Sequence, residues 1–184
     1  MTMLLLILTS LFLFTVYNVV SLNQFGIPKS LSETFYLWDS KKSGLGYIFT
    51  GMMFSMAFTL VPAWLELGEV ISFWSAYLSP LIFFACAAIA FVGAAPAFRS
   101  CVLESKVHTI AAMTAAACAI TWCLAACWQI MYVPLLTAGA VAVIGWLTKS
   151  WKKASVYWLE MMAFGATFVT VIVELLMHLL IYGP

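Results

Sequence analysis

Long uninterrupted runs of apolar residues dominate the chain, and short polar segments separate them. Six of these runs are long enough to cross a bilayer as a helix, which needs about 20 residues. None alternates apolar and polar positions as the strands of a membrane barrel do. The pattern therefore predicts an all-α, polytopic membrane protein built as a bundle of six transmembrane helices. We place these spans at about residues 3–22, 46–64, 71–94, 108–128, 131–148 and 156–181.

The composition supports a membrane location for the whole chain. Of the 184 residues, 65% are hydrophobic and only 8% are charged, whereas a soluble domain has roughly 45–50% apolar and about 25% charged residues. The six predicted spans leave only short loops, which excludes a soluble catalytic domain, a nucleotide-binding fold and a nucleic-acid-reading module. We therefore expect one transmembrane domain over residues 1–184, with membrane lipids as partners and no nucleic acid.

The basic residues predict the orientation of the bundle. All eight fall in the first, third and fifth predicted loops, which share one side of the membrane. They are Lys29, Lys41, Lys42, Arg99, Lys106, Lys149, Lys152 and Lys153. The opposite side holds both termini and the second loop, with Glu66 and Glu69. By the positive-inside rule, the odd loops are cytoplasmic and both termini lie outside, in a bacterial cytoplasmic (inner) membrane.

The first loop contains the pattern of a short helix at about residues 30–42. Ser30-Leu31-Ser32-Glu33 fits a capping box, and Leu31, Phe35 and Trp38 then recur at helical spacing. This predicts a short helix lying in the cytoplasmic interface, with its apolar face toward the membrane. It is either a connector anchored by its aromatic residues or a regulatory, gating element.

Small residues repeat every four positions along the fourth predicted span. They are Ala111, Ala115, Ala119, Cys123 and Cys127. Such a stripe lets another helix backbone approach closely in lipid. We expect it to pack within the chain, with a contact between copies in a homo-oligomer as the alternative.

Ionisable residues also occur within the bilayer, on the sixth predicted span. At 100° per residue, Glu160, Thr167, Glu174 and His178 share one face, and at 1.5 Å per residue this polar stripe is about 27 Å long. A charge at the centre of a membrane helix costs roughly 2.5–3.5 kcal/mol. The stripe should therefore face the bundle interior, a subunit interface or a water-filled path.

Three interpretations of the stripe remain open. Carboxylates and a histidine can relay protons or bind and release a cation, so the stripe would line a route for a proton, a cation or a small polar solute. Alternatively it is structural, with Glu160 paired to Lys152 or Lys153 and with Glu174 and His178 satisfying each other at i,i+4. A pocket for a lipid headgroup or a substrate is the third interpretation.

The sequence predicts no cofactor, no metal and no catalytic residue. Every lysine lies in a predicted loop, which leaves retinal no attachment site, and His108 and His178 lie at opposite membrane edges, where they cannot bind one haem together. A catalytic zinc typically takes three protein ligands. A cation held at the outer face by Glu66, Glu69, Glu174 and His178 is the weaker alternative. The pattern favours a protein that is not an enzyme.

Three short motifs carry a resemblance to a known family. They are Leu31-Ser32-Glu33-Thr34, Gly93-Ala94-Ala95-Pro96 and His108-Thr109-Ile110-Ala111-Ala112. Their arrangement over the first four spans resembles the Frag/DRAM-like six-helix membrane proteins, and also small uncharacterised membrane proteins of Bacteroidetes-type bacteria. The resemblance implies a six-helix bundle and lipid-related work, with Ser32, Thr34 and His108 as polar-site residues. In that family the first loop is expected outside the cytoplasm, whereas the lysines here place it inside.

The predicted topology brings the first loop and the start of the fourth span to the same face. A secondary polar patch is therefore expected there, made of Ser32, Glu33, Thr34, Glu104 and His108. Our leading interpretation of the protein is a small channel or transporter-like protein that uses the polar stripe. The alternatives are a lipid-binding or lipid-modifying protein centred on this patch, and a structural subunit of a membrane complex.

Overall fold

The computed structural model describes residues 2–96, 98–99 and 102–183. Within those ranges the chain is helical and contains no strand, which confirms the all-α class. Short 3-10 turns at Leu31–Glu33 and Trp128–Ile130 accompany the α-helices. The α-helices are α1 (Thr2–Phe25), α2 (Thr34–Lys41), α3 (Tyr47–Ile71), α4 (Phe73–Tyr77), α5 (Ser79–Ala94), α6 (Val102–Ala125), α7 (Tyr132–Leu147) and α8 (Ser155–Tyr182).

Four of the described helices are long and apolar enough to cross a membrane, namely α1, α3, α6 and α8. The other two predicted spans correspond to α5 and α7, which are apolar but have 16 residues each. A helix of that length is about 24 Å long, less than the roughly 30 Å of a hydrocarbon core. The fold is therefore that of a helical membrane protein with four long spans and two shorter apolar helices.

The prediction for the second span ended too early. Helix α3 continues through Pro62 to Ile71, so Glu66 and Glu69 lie on its last turns and not in a loop. Both carboxylates are exposed there. A proline inside a membrane helix is tolerated when neighbouring groups satisfy the freed backbone, and two charged residues at the end of an apolar run do not by themselves end a helix.

The predicted third span is divided into α4 and α5. Ser72 is extended, with φ −168°, and its hydroxyl accepts from the amide of Ser75 while the Ser75 hydroxyl accepts from the amide of Ser72. This reciprocal capping box starts a new helix. The Ser75 hydroxyl also donates to the Gly68 carbonyl at 2.6 Å, which holds α4 against the end of α3.

The predicted fourth span is displaced toward the N-terminus of the chain. Helix α6 begins at Val102 and ends at Ala125, so Glu104 and Lys106 lie within the helix and not in a loop. The tight hairpin between the fourth and fifth spans is present, because the 3-10 turn at Trp128–Ile130 separates α6 from α7.

Five helices form a closed ring of neighbours. In the order α1, α3, α5, α6 and α8, each packs on the next, and α8 returns to α1 and α3. Helix α7 packs on α8 outside this ring, where Pro134 and Gly145 are its buried residues. The side chains of α3, α5, α6 and α8 border a cavity inside this ring.

The first, third and fifth loops, which carry most of the basic residues, lie at one end of the bundle. Arg99 in the third loop pairs with Glu33 in the first at 2.6 Å. The amide of Tyr157, just after the fifth loop, donates to the Lys29 carbonyl at 3.0 Å. We call this the basic end. The opposite end carries Glu66 and Glu69.

Candidate functional site

The first loop forms a plug at the basic end, which we define as residues 29–42. The Ser30 hydroxyl accepts from the amide of Glu33, as the capping-box pattern predicts. The reciprocal bond differs from the prediction, because the Glu33 carboxylate accepts from the amide of Lys29 at 2.7 Å. The 3-10 turn and α2 together correspond to the predicted short helix at 30–42.

The plug packs into the end of the bundle, against α3 and α8. Leu31 and Phe35 are buried, as their spacing suggested, but so are Ser32 and Thr34, which are 3% and 1% exposed. The Thr34 hydroxyl lies 2.5 Å from the hydroxyl of Tyr17 on α1. Ser32, which was expected on the polar outer face of the helix, and Thr34 therefore point inward, where hydrogen bonds compensate for burial.

His108 on α6 anchors the plug through Ser32. Its Nε2 lies 2.8 Å from the Ser32 hydroxyl, and its Nδ1 lies 3.0 Å from the Ala95 carbonyl. A carbonyl can only accept, so Nδ1 carries a proton, and in the neutral ring Nε2 accepts from Ser32. Phe98 stacks on the imidazole with ring centroids 4.6 Å apart. Both ring nitrogens are thus engaged within the protein.

An ion pair fastens the outer side of the plug. Arg99 donates to the Glu33 carboxylate at 2.6 Å, and the backbone amide of Arg99 donates to the Tyr36 hydroxyl at 2.7 Å. Partial burial of Glu33 acts to raise its pKa, but the bonds from Arg99 and the Lys29 amide and the nearby positive charges together lower that pKa from its ordinary 4.5.

Four of the five residues of the predicted polar patch meet in the plug, and the fifth does not. Ser32, Glu33, Thr34 and His108 are joined to the plug by the bonds above. No contact between described residues links Glu104 to them. Three members of the patch, Ser32, Thr34 and His108, are buried.

Glu160 on α8 reaches the plug from the bundle interior. Its carboxylate accepts from the backbone amide of Leu31 at 2.6 Å. The predicted pairing with Lys152 or Lys153 is wrong, because the ion pair found among the described residues is that of Glu33 and Arg99. The described partner of the Glu160 carboxyl group is therefore a backbone amide and not a cation.

A cavity of about 70 Å³ lies against Glu160, inside the ring of helices. Three polar side chains border it, Glu160, Ser32 and Thr167. The remaining wall is apolar and includes Trp64, Ala112, Ala115, Ala116, Ala119 and Phe164. The cavity brings together one member of the predicted patch and two members of the predicted stripe, which the sequence had placed in separate sites.

The two stripes predicted from the sequence face each other across the interface of α6 and α8. Ala115 and Ala119 share the cavity with Thr167. Nearer the opposite end, the Cys123 thiol lies close to Thr167 and Thr170. The small residues of α6 are thus packed within the chain, as expected, and their partner is the polar face of α8.

At the end of the polar stripe farther from the plug, the contacts of Glu174 and His178 differ from the expected pairing of these two residues. Glu174 is 9% exposed and lies beside the Cys127 thiol. His178 packs on Tyr182, with ring centroids 5.0 Å apart. The expected bond between Glu174 and His178 is not among the contacts of the described residues. No group of three or more potential metal ligands forms there either, so the cation site with Glu66 and Glu69 is not assembled.

Sequence reasoning missed a polar face on α1. Ser10, Tyr17, Asn18 and Ser21 are all buried there. The Ser10 hydroxyl donates to the Met56 carbonyl at 3.3 Å, and the Ser21 hydroxyl accepts from the Trp38 indole at 3.0 Å. Successive members of this set are seven, one and three positions apart, which places them on one side of a helix. This periodicity in the sequence would have identified them.

No family model, curated protein or solved structure matches this chain. The resemblance to the Frag/DRAM-like proteins therefore stays a prediction, and the chemistry of the site has to be argued from its own residues.

Proposed function

We propose that this protein crosses the membrane six times and conducts protons along the interface of α6 and α8, with the plug closing the route at the basic end. The described conformation is the closed one. Glu160 binds the plug from within, and Thr170 and Cys123, both 0% exposed, close the interface beyond Thr167. Opening would require the plug to move away from Glu160.

Six crossings are supported by the lengths of the two shorter helices taken together with the short helical segments that precede them. Helices α4 and α5 together cover residues 73–94, and the 3-10 turn with α7 covers residues 128–147. Segments of that size approach the 20 residues that a crossing needs. The gathering of basic loops at one end fits an even number of crossings and favours a cytoplasmic basic end, with both termini outside an inner membrane.

Glu160 is the observation that carries the proposal. A carboxylate inside a membrane bundle is costly unless it is paired or serves transport. Glu160 has no cationic partner among the described residues, borders a cavity and is bonded to the backbone of the plug. A purely structural role would be served as well by an uncharged acceptor.

The residues around the cavity favour a proton over a metal cation. A bound calcium ion takes six to eight oxygen ligands, whereas this cavity offers the side-chain oxygens of Glu160, Ser32 and Thr167. Its walls are otherwise apolar. A cavity of about 70 Å³ does have room for several water molecules, since one needs roughly 10–15 Å³. A carboxylate with a short chain of water is sufficient for proton transfer.

An unpartnered indole supports a polar content for the cavity. Trp64 lines the cavity and is 0% exposed. Its N–H has no acceptor among the described residues, although buried polar groups nearly always have one. Water in the cavity would supply that acceptor.

The test is proton flux into liposomes that contain the purified protein and a trapped pH indicator, driven by a potassium diffusion potential. Glu160→Gln and Glu174→Gln should both abolish flux, because neither amide can take up and release a proton. The matched control is Glu69→Gln, which removes an exposed carboxylate at the end of α3 and should leave flux unchanged.

Other outcomes would replace the proposal. Wild-type flux in both Glu160→Gln and Glu174→Gln would remove the stripe from the mechanism. Flux of sodium or a small solute with none of protons would reassign the substrate. Tightly retained lipid at Ser32 and His108 with no conductance would favour the lipid-binding alternative. A larger protein that copurifies at fixed stoichiometry, with tolerance of all these changes, would favour a structural subunit.

A further inference from the structure

An apolar groove of about 480 Å³ runs along the outside of the bundle between α1 and α3. It is separate from the cavity at Glu160, because exposed residues of both helices form its walls. Its lining includes Phe12, Val16 and Val20 from α1, Ile48 and Gly51 from α3, and Trp38 from the plug. Pockets that bind small molecules commonly have volumes of about 300–1,000 Å³.

The groove follows the length of α1. Its α1 wall extends from Phe12 to Val20, which is about 12 Å at the rise of an α-helix. Because α1 runs toward the plug, Val20 and Trp38 lie at the end of the groove nearer the basic end, and Phe12 lies at the other end. The shape fits one extended hydrocarbon chain that enters from the basic end.

Gly51 leaves the groove open at its base. A Cβ built on this glycine would meet no atom within 4 Å. Close packing therefore does not explain the absence of a side chain at Gly51. At Gly93 it does, because a Cβ there would lie 2.8 Å from Met53. A larger residue at position 51 would occupy the groove without displacing the bundle.

Lys41 stands at the mouth of the groove, and a second lysine follows it in the sequence. The Lys41 ammonium lies 5.6 Å from the centre of the Trp38 ring and also binds Gln24. Lys42 follows it, and both lysines are exposed. The single described ion pair involves Arg99 and Glu33, so neither lysine is neutralised by a carboxylate among the described residues. Positive charge therefore stands where a lipid headgroup would lie above a chain in the groove.

From this placement we propose that the groove is a binding site for one anionic phospholipid, with an acyl chain between α1 and α3 and the phosphate-bearing headgroup at Lys41 and Lys42. The site is independent of proton conduction, because it lies on the outer surface of the bundle. Charge complementarity selects the anionic headgroup, since each lysine near a membrane surface contributes about 1 kcal/mol to its attraction.

The test uses protein in nanodiscs of equal parts phosphatidylglycerol and phosphatidylcholine, with the lipids that stay bound after mild detergent extraction counted by mass spectrometry of the intact protein. The wild type should retain one phosphatidylglycerol in preference to phosphatidylcholine. Lys41→Gln and Lys42→Gln should each lower that preference about fivefold. Gly51→Leu should abolish retention by filling the groove.

Matched controls separate this site from general effects. Gly139→Leu, on α7, adds the same side chain at a second open position, and this variant should keep the lipid. The double variant Lys152→Gln with Lys153→Gln removes two lysines at the same basic end and should keep the preference for phosphatidylglycerol. Equal retention of the two lipids by the wild type would overturn the proposal, as would an equal loss in the Lys152 and Lys153 variant. Binding of inorganic phosphate by wild type and Gly51→Leu alike would also overturn it, by assigning the lysines to a free anion.

Discussion

The backbone amide of Leu31 donates a 2.6 Å hydrogen bond to the carboxylate of Glu160. This bond joins the plug to α8 across 129 positions of sequence and places the Glu160 carboxyl group between the plug and the cavity. It is one of several attachments of the plug, beside the bonds of His108 with Ser32 and of Arg99 with Glu33. In the proposed function, protonation of Glu160 weakens this attachment and so favours opening of the basic end.

Removal of the Glu160 carboxylate should loosen the plug. Hydrogen bonds to charged groups contribute about 1.5–3 kcal/mol, so exchange of the Leu31 amide with solvent deuterium should accelerate about 10- to 100-fold in Glu160→Leu. Glu160→Gln keeps a neutral acceptor and should show a smaller increase. Exchange in Glu69→Gln should match the wild type. An unchanged Leu31 rate in Glu160→Leu would mean that the bond does not hold the plug.

His108 and Ser32 should be energetically coupled. A double-mutant cycle of His108→Ala and Ser32→Ala, measured by unfolding in a denaturing detergent, should give a coupling energy of about 0.5–1.5 kcal/mol, the range for a neutral hydrogen bond. Thr109→Ala changes the exposed neighbour of His108 and should alter stability by less than about 0.5 kcal/mol. Simple additivity of the two single changes would contradict the bond.

The ion pair of Glu33 and Arg99 should make attachment of the plug depend on pH. Because the pKa of Glu33 in the folded protein is below its ordinary 4.5, the pair stabilises the plug fully above that value. The contribution is lost as the pH falls through the lowered pKa. Amide exchange in the plug should therefore rise on acidification in the wild type and rise less in Glu33→Gln. Identical pH profiles would exclude a role for this carboxylate.

Glycine substitutions should have opposite effects at crowded and open positions. A Cβ on Gly93 would lie 2.8 Å from Met53, and one on Gly145 would lie 2.8 Å from Trp151. Overpacking of this kind costs about 1–3 kcal/mol, so both alanine variants should unfold more easily. Gly51→Ala and Gly139→Ala meet no atom within 4 Å and should gain roughly 0.5–1 kcal/mol from lower backbone entropy in the unfolded chain. A gain at Gly93 would mean that α3 and α5 are less tightly packed than described.

The sequence predicted individual helices better than their partners. The apolar runs located α1, α7 and α8 closely, and periodicity identified the polar face of α8 and the small-residue face of α6. Periodicity says which residues share a face but not which helix that face contacts, so the pairing of Ala115 with Thr167 emerged only from the fold. The end of α3 was missed because two charged residues near Pro62 resemble a loop.

The plug illustrates a second limit. The capping-box pattern correctly predicted a helix start after Ser30, yet it carries no information on tertiary burial. Ser32 was expected on a polar outer face, whereas His108, 76 positions later, draws it inward. Bonds between distant segments such as these depend on the packing of the whole bundle, and local patterns do not encode them.

The most direct test of the central claim is proton flux through Ala115→Leu in liposomes. Ala115 lines the cavity beside Glu160 and takes no part in any hydrogen bond of the site, so a leucine there fills the route and leaves every titratable group in place. Ala140→Leu, on the exposed side of α7, is the matched control. The account predicts that flux falls to that of empty liposomes in Ala115→Leu and stays at the wild-type level in Ala140→Leu. Wild-type flux through a folded Ala115→Leu protein would contradict it.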